Sequence, residues 1–145
     1  MEPVSATLDQ LGSQTDRERE DAARPGAPYA LAADKTADLL GLRLSEENKR
    51  RLSLLFHYGL AFQWAPVYAV LRRRTALRPA SAGLATGAAM SLVADELMTP
   101  AFGFSAPNRA YPLSTHVRGF VAHLVFGLGV AATTELGWKL LGRRP

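Results

Sequence analysis

Five residues carry most of the chemistry this chain can offer: His57, Asp95, Glu96, His116 and His123. Imidazole titrates near neutrality and a neighbouring carboxylate tunes it, so the set reads as a candidate proton-responsive cluster. Each member lies in or beside an apolar run, where an ionisable group is costly unless it is paired or put to use. A structural reading therefore stands beside the proton-linked one: the acids pair with Arg109, Arg118 or histidine and satisfy helix ends. The residue types suit zinc, but no His-x-x-x-His or Glu-x-x-His spacing accompanies them, and no metal or other cofactor is expected. Ser91, Ser105 and Ser114 lack a nucleophile-elbow context and cysteine is absent, so no catalytic residue is assigned and the chain is not expected to be an enzyme.

The elements that must position these residues are apolar, and the charge around them is uneven. Residues 1–47 hold ten acids and five bases (net −5), whereas residues 48–145 hold three acids and twelve bases (net +9). The bases bunch between apolar runs, as Lys49-Arg50-Arg51, as Arg72-Arg73-Arg74 with Arg78, and as Lys139 with Arg143-Arg144. This is the layout of membrane spans with basic flanks. Nucleic-acid binders interleave their bases with aromatics on a soluble surface, so the expected partner is the lipid bilayer and not nucleic acid.

Three runs qualify as spans, at about residues 52–71, 80–98 and 117–141. Twenty helical residues rise roughly 30 Å, the thickness of a hydrocarbon core. Pro66 kinks the first run. In the second, Gly83, Gly87, Ser91 and Asp95 recur four apart; in the third, Gly119, His123, Gly127, Ala131 and Glu135 do the same. Small residues at this interval let helices approach closely, which makes Gly83, Gly87, Gly119 and Gly127 the expected packing positions. The connection from Thr99 to Thr115, with three prolines and the aromatics Phe102, Phe104 and Tyr111, reads as an ordered cap over helix ends. A soluble bundle is the competing fold, but it would show a polar face on every helix, and these runs are apolar or small all round.

Residues 1–44 form a polar, acidic tail. Asp16 to Arg24 alternates charges in the manner of a short solvated helix, and Pro25-Gly26-Ala27-Pro28 breaks it. Tyr29 to Leu44 reads as a short amphipathic helix with Tyr29, Ala33, Ala37, Leu40 and Leu44 on one face, lying on the membrane surface or packing on a partner. With three spans, the tail and the 99–115 connection share one side, and the arginine-rich turn at 72–78 favours the other as cytoplasmic. All five cluster residues then fall toward the tail side, and only Glu135 toward the opposite one.

In order, HYG (57–59), APVY (65–68), GLATG (83–87), DELMTPAFG (95–103), AYPLSTH (110–116) and RGFVAHLVFG (118–127) resemble the YagU-like family of bacterial inner-membrane proteins over roughly Leu44 to Arg144. The resemblance implies a small multi-span protein with a link to acid resistance in the family's namesake, and it carries over no catalytic residues. Members usually open with a further apolar span, which MEPVSATL does not provide; Met1 is then an internal start or that span has been lost.

The expectation is an all-α polytopic membrane protein with three transmembrane helices plus an amphipathic N-terminal helix, residues 45–145 forming the membrane domain. Its expected role is that of a small inner-membrane protein of structural or accessory type, with a homo-oligomer or another membrane protein as further partner. The alternative is a proton-linked acid-stress or transport component using the histidine–carboxylate cluster.

Overall fold

Caps and prolines in the sequence set most of the helix boundaries. The structure, a computed structural model, describes Thr7 and residues 13–142, and every regular element among them is helical. The rest of the acidic tail's first twelve residues and the Arg143-Arg144 flank lie outside the described residues. Helix α1 (Gln14–Ala23) starts at Ser13, whose hydroxyl accepts from the Asp16 N–H at 3.1 Å. Helix α2 (Pro28–Leu39) opens with proline in its first turn, where a missing N–H costs nothing. It stops short of Leu44 because Gly41 takes φ +66°, and the N–H groups of Gly41 and Leu42 fold back onto Asp38 and Ala37.

Helix α3 (Glu46–Arg74) is capped by Ser45, carries Glu46 and Glu47 in its first turn and ends on three arginines, so its charges complement the helix dipole at both ends. Helix α5 (Leu113–Leu140) begins directly after Pro112. These two helices are long and apolar enough to cross a membrane. At 29 and 28 residues they span about 43 and 42 Å.

The second run departs from the single helix expected over 80–98. Helix α4 (Pro79–Met90) gives way to a π-helical segment at Ser91–Met98, followed by a short turn at Thr99–Ala101. Pro100 has no N–H to close an α-type bond onto the Glu96 carbonyl, which accepts instead from the Asn108 side chain at 2.8 Å. The Thr99 N–H reaches back to Ala94, and the Thr99 hydroxyl donates to the same carbonyl at 2.6 Å. A wider turn accommodates both demands.

Helices α4 and α5 run antiparallel in the most extensive helix contact of the chain. A Cβ on Gly83 would lie 2.8 Å from the Gly127 carbonyl oxygen and 2.9 Å from the Ala131 Cβ; one on Gly87 would run into the His123 carbonyl, and one on Gly127 into that of Gly83. Backbone meets backbone at all three. Gly119 does not take part: among the described residues its near neighbour is the Asp95 carboxylate at 4.0 Å, because at its level a carboxylate separates α5 from the π segment.

The buried core is thin. Tyr68, Ala82, Val130 and Ala131 form one cluster, and Trp64, Met90 and Ala94 another. Tyr68 stacks on Trp138 with ring centres 6.3 Å apart. Beside it, Glu135 accepts from Arg72 Nε at 2.7 Å and from the Tyr68 hydroxyl at 2.8 Å, while Arg72 Nη1 reaches the Leu77 carbonyl. Helix α2 buries Ala32, Ala33 and Ala37 against α3 and adds an Asp34–Lys49 ion pair at 3.1 Å, so it packs on its own chain. Leu40, expected on its apolar face, is exposed. The outward faces of α3 and α5 are apolar: Leu55, Phe62, Val70, Val117 and Leu136 are all more than half exposed.

The glycine contact yields the first prediction. Gly127→Val should force α4 and α5 apart and cost about 1–3 kcal/mol, the usual penalty of overpacking. Gly129→Ala, where a Cβ meets nothing within 4 Å, should be neutral or slightly stabilising. Thermal unfolding of the variants measures both, and equal midpoints would show that the contact is loose.

Candidate functional site

Two histidine–carboxylate pairs lie side by side where the π segment faces the first half of α5. Glu96 Oε1 is 2.7 Å from His116 Nδ1, and Asp95 Oδ2 is 3.2 Å from His123 Nδ1. The antiparallel register produces this, since residues that advance along the π segment meet residues that recede along α5. His123 is buried, and its Nδ1 also lies 2.8 Å from the Gly119 carbonyl one turn back. That nitrogen faces two acceptors, so it carries a proton. His116 differs: Nδ1 faces Glu96 and Nε2 lies 3.1 Å from the Asn108 carbonyl. With an acceptor at each nitrogen, its surroundings fit the doubly protonated ring.

Four of the five cluster residues are therefore brought together as two pairs. His57 is not. It lies on α3 with its ring edge-on to Tyr29 at 4.8 Å and to Tyr58 at 5.3 Å, and it serves to seat α2 on α3. Tyr29, next to it, is half-buried, and its hydroxyl pKa is pushed up by burial and by the nearby negative charge of Asp95. Among the described residues no three histidine or acidic side chains converge as a metal ion would require. The Ser114 hydroxyl donates to Asp16 at 2.7 Å and that of Ser105 to the Ala106 carbonyl at 3.0 Å, so neither is aligned with a histidine.

Helix α1 covers this end of the bundle, against the expectation of a solvated segment. Glu20 is buried, receives both oxygens' worth of bonds from Arg118 at 2.6 and 2.7 Å, accepts from the Thr115 hydroxyl at 2.7 Å, and pairs with Arg24. Arg19 donates to the carbonyls of Arg109 and Ala110. Asp16 and Glu20 thus reach the first two turns of α5, where the helix dipole favours negative charge. The available hint was Ser114-Thr115 just past Pro112, two hydroxyls at a helix start with no acceptor nearby in sequence. Arg118, expected among the partners of Asp95 and Glu96, binds Glu20 instead.

Between α1, α2, α3 and the π segment lies an open cavity of about 960 Å³. Asp95, Glu96 and His116 line it, together with Tyr29, Phe56 and Phe102. The connecting loop closes it on one side, held by Lys35 Nζ on the Phe102 carbonyl at 2.8 Å and by Asn108 on Glu96.

The chain matches no known family model, no curated protein and no solved structure.

Glu20 makes the docking of α1 sensitive to acid. Burial alone would raise its carboxyl pKa, but the bonds from Thr115 and Arg118 and the charges of Arg118 and Arg24 outweigh it and hold the pKa below its ordinary value of 4.5. A depressed carboxylate contributes stability above that ordinary value and loses it as pH falls through the lower, docked value. Hydrogen exchange of residues 17–24 should therefore show protection that persists at pH 7 and decays below pH 4.5. Glu20→Gln should lower that protection roughly tenfold at pH 7 and flatten its pH dependence. Protection that is identical in the two proteins would show that the ion pairs do not hold the helix.

Proposed function

We propose that this chain is a small integral protein of a bacterial inner membrane, crossing it three times through α3, the α4–π composite and α5, with a structural or accessory role. The observation that supports this best is the surface of α3. Only 11% of its most apolar eighteen residues are buried, and Leu55, Phe62 and Val70 face outward. A core helix of a soluble bundle would be mostly covered, whereas here water would meet a continuous apolar strip. The corresponding window of α5 is 28% buried. The resemblance to the YagU-like family supports the bacterial setting, and the arginine-rich turn at 72–78 favours the cytoplasm. On this reading α1, α2 and the 99–112 loop cap the opposite face. The outer helix faces meet lipid, a second copy of the chain or another membrane protein.

Alkaline carbonate extraction of membranes carrying the tagged chain tests the reading. Retention in the pellet is the expected result; release as a soluble species would overturn both the span count and the location.

The two histidine–carboxylate pairs favour a second reading, a proton-linked role in acid stress or transport. His116 supports it most, because its two nitrogens are held between acceptors at the edge of a cavity. His116→Ala should then leave abundance near the wild-type level while abolishing survival of acid challenge. A parallel fall of abundance and survival would make His116 a purely structural residue.

A further inference from the structure

The cavity at the mouth of the bundle is large enough for a small organic molecule; ligand sites commonly measure some 300–1,000 Å³. Its charges nearly cancel. Arg24 and Arg118 both bind Glu20, and with Asp21 on the same rim these two bases and two acids balance. Glu96 is matched by His116 in the protonated form that its two acceptors favour. What remains is Asp95, whose Oδ2 lies 3.2 Å from a His123 nitrogen that it shares with the Gly119 carbonyl. Among the ion-paired carboxylates that line the cavity it is the most open: its side chain is 42% accessible, against 28% for Glu96 and 7% for Glu20.

Around this carboxylate the walls are apolar and aromatic, built by Tyr29, Phe56, Leu60, Met98 and Phe102. The same wall already receives an ammonium from within the chain. Lys35 Nζ sits 5.7 Å over the Phe104 ring and donates to the Phe102 carbonyl. An anion would find both nearby arginines engaged by Glu20. A cation on an apolar body finds a counter-charge, π faces and a dry wall together.

We propose that this cavity is a binding site for an organic ammonium ion carried on an apolar body, with Asp95 as its counter-ion. The inference goes beyond the membrane role and does not rest on it, since the charge balance and the walls are properties of the chain whether or not lipid surrounds it. Two sources supply the chemistry: the headgroup of an ethanolamine phospholipid, and a free amphipathic amine.

Calorimetric titration of the full chain in a maltoside detergent with 2-phenylethylammonium tests the site, with 2-phenylethanol as the uncharged counterpart. The amine should bind saturably and at least tenfold more tightly than the alcohol. Asp95→Asn should remove that difference and leave the alcohol unaffected, and Asp21→Asn on the rim should change neither. Should Asp95→Asn fail to fold, the amine-to-alcohol ratio on the wild-type chain decides alone. Equal binding of amine and alcohol, or a folded Asp95→Asn that keeps the preference, overturns the proposal. Repeating the titration in nanodiscs separates the sources: weaker amine binding with ethanolamine lipid than with phosphatidylglycerol alone means that the headgroup occupies the site, and equal binding means that a free amine does. Failure here leaves carbonate extraction unaffected, so the two readings fall separately.

Discussion

The structure depends on one backbone-to-backbone contact, that of Gly83 and Gly87 with Gly127 and the His123 carbonyl. Glycine within a helix costs roughly 1 kcal/mol relative to alanine, and here close packing of α4 on α5 offsets that cost. The contact also sets the register. Once Gly87 rests on the backbone of His123, the His123 ring must project toward the next turns of the partner helix, where Asp95 waits. The chemistry at the mouth is therefore a consequence of packing in the middle.

The π segment completes what the register begins. Asp95 and Glu96 are neighbours in sequence, yet each meets a different histidine on the same helix. A turn that holds more residues splays consecutive side chains less than an α-turn does, so both acids face α5. The cause is Pro100, which withholds an N–H from Glu96 and frees its carbonyl for Asn108. Asn108 then uses its own carbonyl to hold the far nitrogen of His116. Loop, π turn and histidine pair are one connected arrangement, which explains why a proline-rich connection as long as this one is ordered.

Local patterns in the sequence announced some of this. Apolar runs with basic flanks marked the two long helices, and four-residue spacing marked Gly83, Gly87 and Gly127. What escaped was decided at long range. Gly119 obeys the same spacing but faces a carboxylate, and His57 shares the residue type and depth of the cluster but lies on the wrong helix face. Glu20 looked solvated among alternating charges; its burial depends on Thr115 and Arg118, more than ninety positions away. The change from α to π at Ser91 leaves no mark in hydropathy, and only Thr99-Pro100 hints at it.

The two ends of the bundle solve the same electrostatic problem differently. At the arginine-turn end Glu135 is engaged by Arg72 and by the Tyr68 hydroxyl, and Arg72 spends its remaining reach on Leu77. That end is closed, and its polar groups act on each other. At the other end the ion pairs consume Glu20 and Glu96 but leave Asp95 partly open beside a cavity. A buried pair replaced by apolar residues often costs a fold nothing, so stability alone does not call for an accessible acid there. One end of the bundle is locked by its own polar contacts, and the other leaves a carboxylate open to a cavity.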